Sequence, residues 1–132
     1  MNLNQEIIKN TSVKIKTKIN LTEDINKVKN SIKNIIPEKI TINTTDKEIL
    51  IESDVTLLDN IHKLVKTNKL EEVTVNILNK NKTEGRVLFY VNKQAAFHNK
   101  FHIIDENMSP LDDIEVLIET SNPDSIIKWI TS

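Results

Sequence analysis

From Ser12 to Asn20 the chain alternates strictly: Val13, Ile15, Thr17 and Ile19 fall on one side, and Lys14, Lys16 and Lys18 on the other. Successive side chains of a strand point to opposite faces, so this period of two predicts a half-buried strand with a lysine ladder on its open face. A second alternation, Ile114, Val116 and Ile118 against Glu115, Leu117 and Glu119, predicts another half-exposed strand.

Between and around these strands the period changes. Ile25, Val28, Ile32, Ile35 and Ile36 make a helical stripe. Thr22 reads as its N-cap, Glu23 and Asp24 suit the positive helix start, and Pro37 ends it. Ile40 and Ile42, a turn at Thr44–Asp46, then Ile49 and Ile51 read as a hairpin. Ser53 or Asp54 would cap a second helix with the stripe Leu57, Leu58, Ile61, Leu64 and Val65. Residues 70–79 fit both periods, but Leu70 and Leu78 fit only the helical one, so a helix is expected. Residues 87–91 are apolar on both faces and suit a central strand. Residues 101–104 would add a short strand, and 107–110 a loop. Asn122-Pro123 pairs an N-cap with proline at the first helical position, opening a closing helix with Ile126, Ile127 and Ile130.

Strands and helices do not alternate regularly, and the hairpin favours antiparallel pairing. The expected fold is α+β, a mainly antiparallel sheet layered with helices. Residues 1–11 lack a periodic apolar set and read as a flexible leader, with residues 12–132 as one domain. The 132 residues suffice for one core without metals or disulfides. The chain has no cysteine, which excludes disulfides, thiolate zinc sites and cysteine nucleophiles, and fits a reducing, cytoplasmic setting. No apolar run approaches the roughly 18 residues of a membrane span, and no membrane contact is expected.

Enzyme templates find no match. A single glycine, Gly85, excludes a glycine-rich phosphate loop, and no serine sits in a nucleophile elbow. No catalytic residue and no cofactor is expected. His98 and His102 with Asp105 have the chemistry of a metal site, but histidines four apart on an extended segment are too far apart to share an ion. They read as polar surface, as does His62. Net charge is −1, so attraction for a polyanion must come from local charge.

Three local features bear on binding. The ladder Lys14, Lys16 and Lys18 would face phosphates, or else pair across strands with Glu48 and Glu52 or with Glu115 and Glu119. Such pairs contribute roughly 0.2–1 kcal/mol each and would neutralise the ladder. Second, Lys80, Lys82, Arg86, Lys93 and Lys100 precede an acidic stretch holding Asp105, Glu106, Asp112, Asp113, Glu115, Glu119 and Asp124. The two blocks would form a two-signed, self-associating surface, or lie solvated on different faces. Third, Asn92, Lys93 and Gln94 combine amide donors and acceptors with a phosphate-seeking charge. Alternatively the amides cap a strand end, and Ala95 and Ala96 pack tightly against a helix. Tyr90 and Phe97 are the aromatics free for base stacking if exposed.

The run Phe89-Tyr90-Val91-Asn92-Lys93-Gln94-Ala95-Ala96, followed by Ser109-Pro110-Leu111 and Ile114-Glu115-Val116, resembles a small archaeal family grouped as RNA-binding. Asn122-Pro123-Asp124 and Trp129 resemble that family's ending, and the likeness spans about residues 12–131. The resemblance implies a fold like the large-subunit ribosomal protein that binds five-S RNA, and RNA or the ribosome as partner. It implies no catalytic activity. Asp112 stands where the family favours glycine and Asn99 falls near a second such position, and both residue types tolerate left-handed backbone. On this reading Asn92, Lys93 and Gln94 would be central, with Arg86, Lys100 and the Lys14, Lys16 and Lys18 face holding the RNA backbone. A protein-interaction module or homodimer without nucleic acid is the alternative.

Overall fold

The computed structural model describes residues 3–106 and 112–132. In chain order the elements are α1 (Gln5–Lys9), β1 (Ser12–Lys18), α2 (Ile25–Lys33), β2 (Asn43–Thr44), β3 (Glu48–Asp54) and a 3-10 turn (Val55–Leu58). There follow α3 (Asp59–Thr67), α4 (Glu71–Asn81), β4 (Arg86–Val91), α5 (Lys93–Phe97), β5 (Ile103–Ile104), β6 (Ile114–Glu119) and α6 (Pro123–Ile130). The strands form one six-stranded sheet in the order β2-β3-β1-β6-β4-β5. Every pairing is antiparallel. The fold is therefore α+β.

Register explains which side chains are buried. Ile15 lies opposite Ile51 on one side and Val116 on the other, and Val116 lies opposite Phe89. All four are buried on one face, with Val13, Ile49, Val87, Val91, Ile114 and Ile118. A slip of one residue would turn each of these sets to solvent, so the period-two pattern also holds the register. The helices cover this face. Val28 and Ile32 of α2, Ile61 and Val65 of α3, Leu78 of α4 and Ile126, Ile127 and Ile130 of α6 join the strand residues in one core. The opposite face stays open.

Helix ends follow local chemistry. Asp24, not Thr22, caps α2: its carboxylate accepts from the Asn26 N–H at 2.8 Å. Glu23 instead turns back to accept from Asn20. Asp54 caps the 3-10 turn leading into α3, and Asn122 caps α6 ahead of Pro123, both as their sequence signals require. Residues 71–81 are helical, as the leucine spacing requires. The hairpin is shorter than its pattern. Only Asn43 and Thr44 pair with β3, and Ile40 and Ile42 pack half-buried without strand structure.

Residues 5–9 fold as a helix where the pattern reads as a loose leader. Leu3, Ile7 and Ile8 pack against the core, and the Thr11 hydroxyl meets that of Thr120 at 2.8 Å. One short turn holds too few apolar residues to show a period, so this helix is visible only through what it touches. His62 likewise departs from plain surface: its ring stacks on Trp129 of α6 at 4.7 Å. Asn99 and Asp112 both adopt left-handed backbone, with φ of 59° and 62°. The two turns thus form without glycine. The expected loop at 107–110 and the Ser109-Pro110-Leu111 motif lie outside the described residues.

Candidate nucleic-acid interface

The open sheet face neutralises itself. Lys14 lies opposite Glu52 in register, with ammonium and carboxylate 3.8 Å apart. Lys16 reaches Glu115 at 3.6 Å, and Arg86 reaches Glu119 at 4.0 Å. Lys18 sits opposite Glu48 in the ladder. A hollow of about 270 Å³ at that end is lined by Lys16 and Lys18 but also by Glu48, Asp112, Asp113 and Glu115. That wall opposes an incoming phosphate. Tyr90 stands on the same face near Glu115, with its hydroxyl 3.5 Å from the carboxylate. Burial first, and then the Glu115 charge, push its phenol above the ordinary value.

The basic and acidic blocks of the second half meet each other. Lys80 bonds Asp105 at 2.6 Å, and Lys82 bonds Asp124 at 2.5 Å. The Lys80 hydrogen bond holds the Asp105 carboxyl below the usual carboxylate range. With the Arg86–Glu119 pair, three of the five residues of the basic block meet an acid of the other.

The Asn92–Ala96 cluster is a helix start. Asn92 caps α5, its side-chain oxygen accepting from the Ala95 N–H at 2.8 Å. Its backbone N–H donates to the His102 carbonyl. Ala96 is buried where α5 packs on α2, and its carbonyl accepts from the Asn34 side chain at 2.7 Å. Lys93 is buried rather than presented. Its ammonium donates to the Lys18 carbonyl at 2.8 Å and to both Glu23 oxygens at 3.0 and 3.2 Å. The lysine side chain is 5% exposed and the glutamate 10%, which makes this the most enclosed ion pair among the described residues. It ties the end of β1 and the loop before α2 to α5. Gln94 alone of the three points outward.

Behind that ion pair the helical side opens. A cleft of about 390 Å³ lies between α2 and α5, lined by Thr22, Asp24, Lys27, Gln94, Phe97 and His98 around a floor at Val28 and Ser31. Lys27 lies over the Phe97 ring, 5.8 Å from its centroid, and His98 meets the ring edge-on at 5.0 Å. Lys27, Lys29 and Lys33 run along α2, and Lys100 follows α5 at a second small hollow with Asn34 and Leu64. None of these four lysines has an ion-pair partner among the described residues. Lys27, Lys29 and Lys33 carried no signal in the sequence, because lysines on and beside the polar side of an amphipathic helix read as ordinary surface. His98 and His102 are both exposed, with His98 at the end of α5, and among the described residues no group of three or more acidic or histidine side chains could hold a metal. No helix of the described residues is long and apolar enough to cross a membrane.

A six-stranded antiparallel sheet covered by helices on one face and open on the other defines the class, an α+β domain. The chain belongs to a family described as RNA binding, whose model matches residues 12–120. A UPF0201 protein of Methanothermobacter thermautotrophicus is 31% identical over 118 residues, covering 89% of each chain. One from Sulfurisphaera tokodaii is 31% identical over 126 residues, covering 92% of this chain and 87% of its own. The crystal structure of a UPF0201 protein from Methanococcus jannaschii superposes with a TM-score of 0.73 at 29% identity, over 90% of this chain and 89% of that one. These relatives are archaeal.

Proposed function

We propose that this chain binds RNA without catalysing a reaction, through the solvent side of the α2–α5 pair. The carrying observation is the contrast in cation pairing. Lys27, Lys29, Lys33 and Lys100 have no ion-pair partner among the described residues, whereas Lys14, Lys16 and Arg86 of the sheet each meet a glutamate and Lys18 lies opposite Glu48. A phosphate approaching the helical side gains attraction without displacing a carboxylate. The description of the family supports the same reading. Of the contacts expected from sequence, Lys100 and Gln94 belong to this interface, and Asn92 and Lys93 support it from behind.

Four phosphate contacts give a log–log salt slope of roughly −3 on single-stranded RNA. Fluorescence anisotropy across a salt series measures it. Replacing Lys27, Lys33 and Lys100 together by glutamine is expected to weaken binding and flatten the slope to about −1. Replacing Lys14 and Lys16 is expected to leave the slope unchanged. The opposite pattern would return the interface to the sheet. Crosslinking in cells, with sequencing of the recovered RNA, then identifies the bound species, ribosomal or other.

A second reading, self-association, draws on the open face. Leu50, Leu88, Leu117, Tyr90 and Ile104 lie half-buried there. Its columns alternate in sign: Glu48 and Glu52 on β3, lysines on β1, Glu115 and Glu119 on β6, and Arg86 on β4. A two-fold axis along the strands between β1 and β6 sets β1 lysines over β6 glutamates of a second copy, and β3 glutamates over Arg86. That pairing is self-complementary. Sedimentation at micromolar protein checks it: a dimer that Leu117→Lys dissociates is the expected result, and a wild-type monomer ends this reading.

A further inference from the structure

We propose that the cleft between α2 and α5 receives one unpaired nucleobase of the bound RNA, stacked on Phe97, while the lysines hold the flanking phosphates outside. This inference rests on the RNA-binding reading and names what its interface recognises.

The cleft's size, about 390 Å³, falls within the range of about 300–1,000 Å³ typical of small-ligand sites. Its charges separate a carboxylate-bearing interior from a cationic rim. Lys93 is neutralised by Glu23, and Asp24 brings a second carboxylate to the wall, so an anion is disfavoured inside. Lys27 stands at the mouth without an ion-pair partner among the described residues. A ligand entering here therefore needs a flat uncharged part and an anionic part that stays outside. A nucleotide has that division.

Phe97 supplies the flat surface. It is half-buried, lies outside the hydrophobic core cluster, and already carries the Lys27 ammonium on its ring. Every base has a π-face, so stacking on Phe97 is tolerant of sequence. Gln94 supplies the edge contact. Its carboxamide is exposed on the cleft wall and makes no hydrogen bond among the described residues, leaving a donor and an acceptor together. Asp24 uses one oxygen on the Asn26 N–H, and its other oxygen can accept from an amino group on the base. A base paired within a duplex cannot reach this cleft, so the site selects loops, bulges and single strands.

The test uses two RNA hairpins, one fully paired and one with a single bulged 2-aminopurine. The full chain is expected to bind the bulged hairpin more tightly, with quenching of the 2-aminopurine fluorescence. Phe97→Ala is expected to abolish the quenching and weaken bulged-hairpin binding about 5- to 140-fold, the range for losing one base stack. Binding of the paired hairpin and the thermal melting of the protein should not change, and Phe97→Trp should restore the quenching. Equal wild-type affinity for both hairpins without quenching overturns the pocket and leaves the RNA reading standing, as does equal loss on both hairpins in Phe97→Ala. Failure of the wild type to bind either hairpin overturns both.

Discussion

Lys93→Ala is expected to cost about 3–5 kcal/mol of folding stability, the usual loss when one partner of a buried ion pair is removed. The substitution leaves Glu23 almost enclosed, facing the space its counterion occupied. It also removes the donor to the Lys18 carbonyl at the end of β1. Three segments then lose a common anchor: the β1 end, the Asn20–Glu23 turn and the first turn of α5. Urea denaturation measures the loss as a lower midpoint at unchanged slope. Lys93→Met with Glu23→Leu removes both charges and is expected to recover most of the loss, because a well-packed apolar pair avoids the desolvation of two ions. Should Lys93→Ala keep wild-type stability while abolishing RNA binding, the lysine contacts RNA and the ion pair is not structural. This experiment distinguishes the two readings of the Asn92–Gln94 cluster.

The second large effect is expected in the core. Phe89→Ala should destabilise by about 3–5 kcal/mol through lost apolar burial and the cavity left behind. Phe89 is fully buried in β4, opposite Val116 of β6. Backbone ladders hold both strands, so the sheet cannot collapse around the missing ring. Phe97→Ala offers the matching control, because Phe97 lies outside the core and its loss leaves no enclosed void. Thermal unfolding of the two variants should separate a packing aromatic from a surface one. Equal destabilisation would place Phe97 in the core and remove it as a binding platform.

Much of this molecule is legible in the sequence, for identifiable reasons. Alternation in β1 and β6 reports burial on one face directly, since a strand's period equals the spacing of its side chains. The stripes of α2, α3 and α6 do the same at a period of 3.6, and caps such as Asp54 and Asn122 act on neighbours two or three residues away. The helices α1 and α5 are not legible, because five residues are too few to show a period. At Asn92-Lys93-Gln94 the residue types invite a binding role. What separates the three is direction: Asn92 turns to its own helix, Lys93 turns inward and Gln94 faces out.

By itself, then, the sequence determined the α+β class, the register-setting apolar faces and the tolerance of Asn99 and Asp112 for left-handed turns. Each of these is a short-range property of backbone sterics and side-chain period. Only the tertiary structure decided where charge remains available. Lys93 meets Glu23 across 70 residues, Lys82 meets Asp124 across 42 and Lys80 meets Asp105 across 25. Lys27, Lys29, Lys33 and Lys100 find no such partner among the described residues. Whether a lysine is neutralised depends on which carboxylate lies within a few ångströms of it, because ion pairing is a contact effect that water screens at longer range. That distance is set by the packing of α2 on α5 and by strand order, which no local pattern encodes.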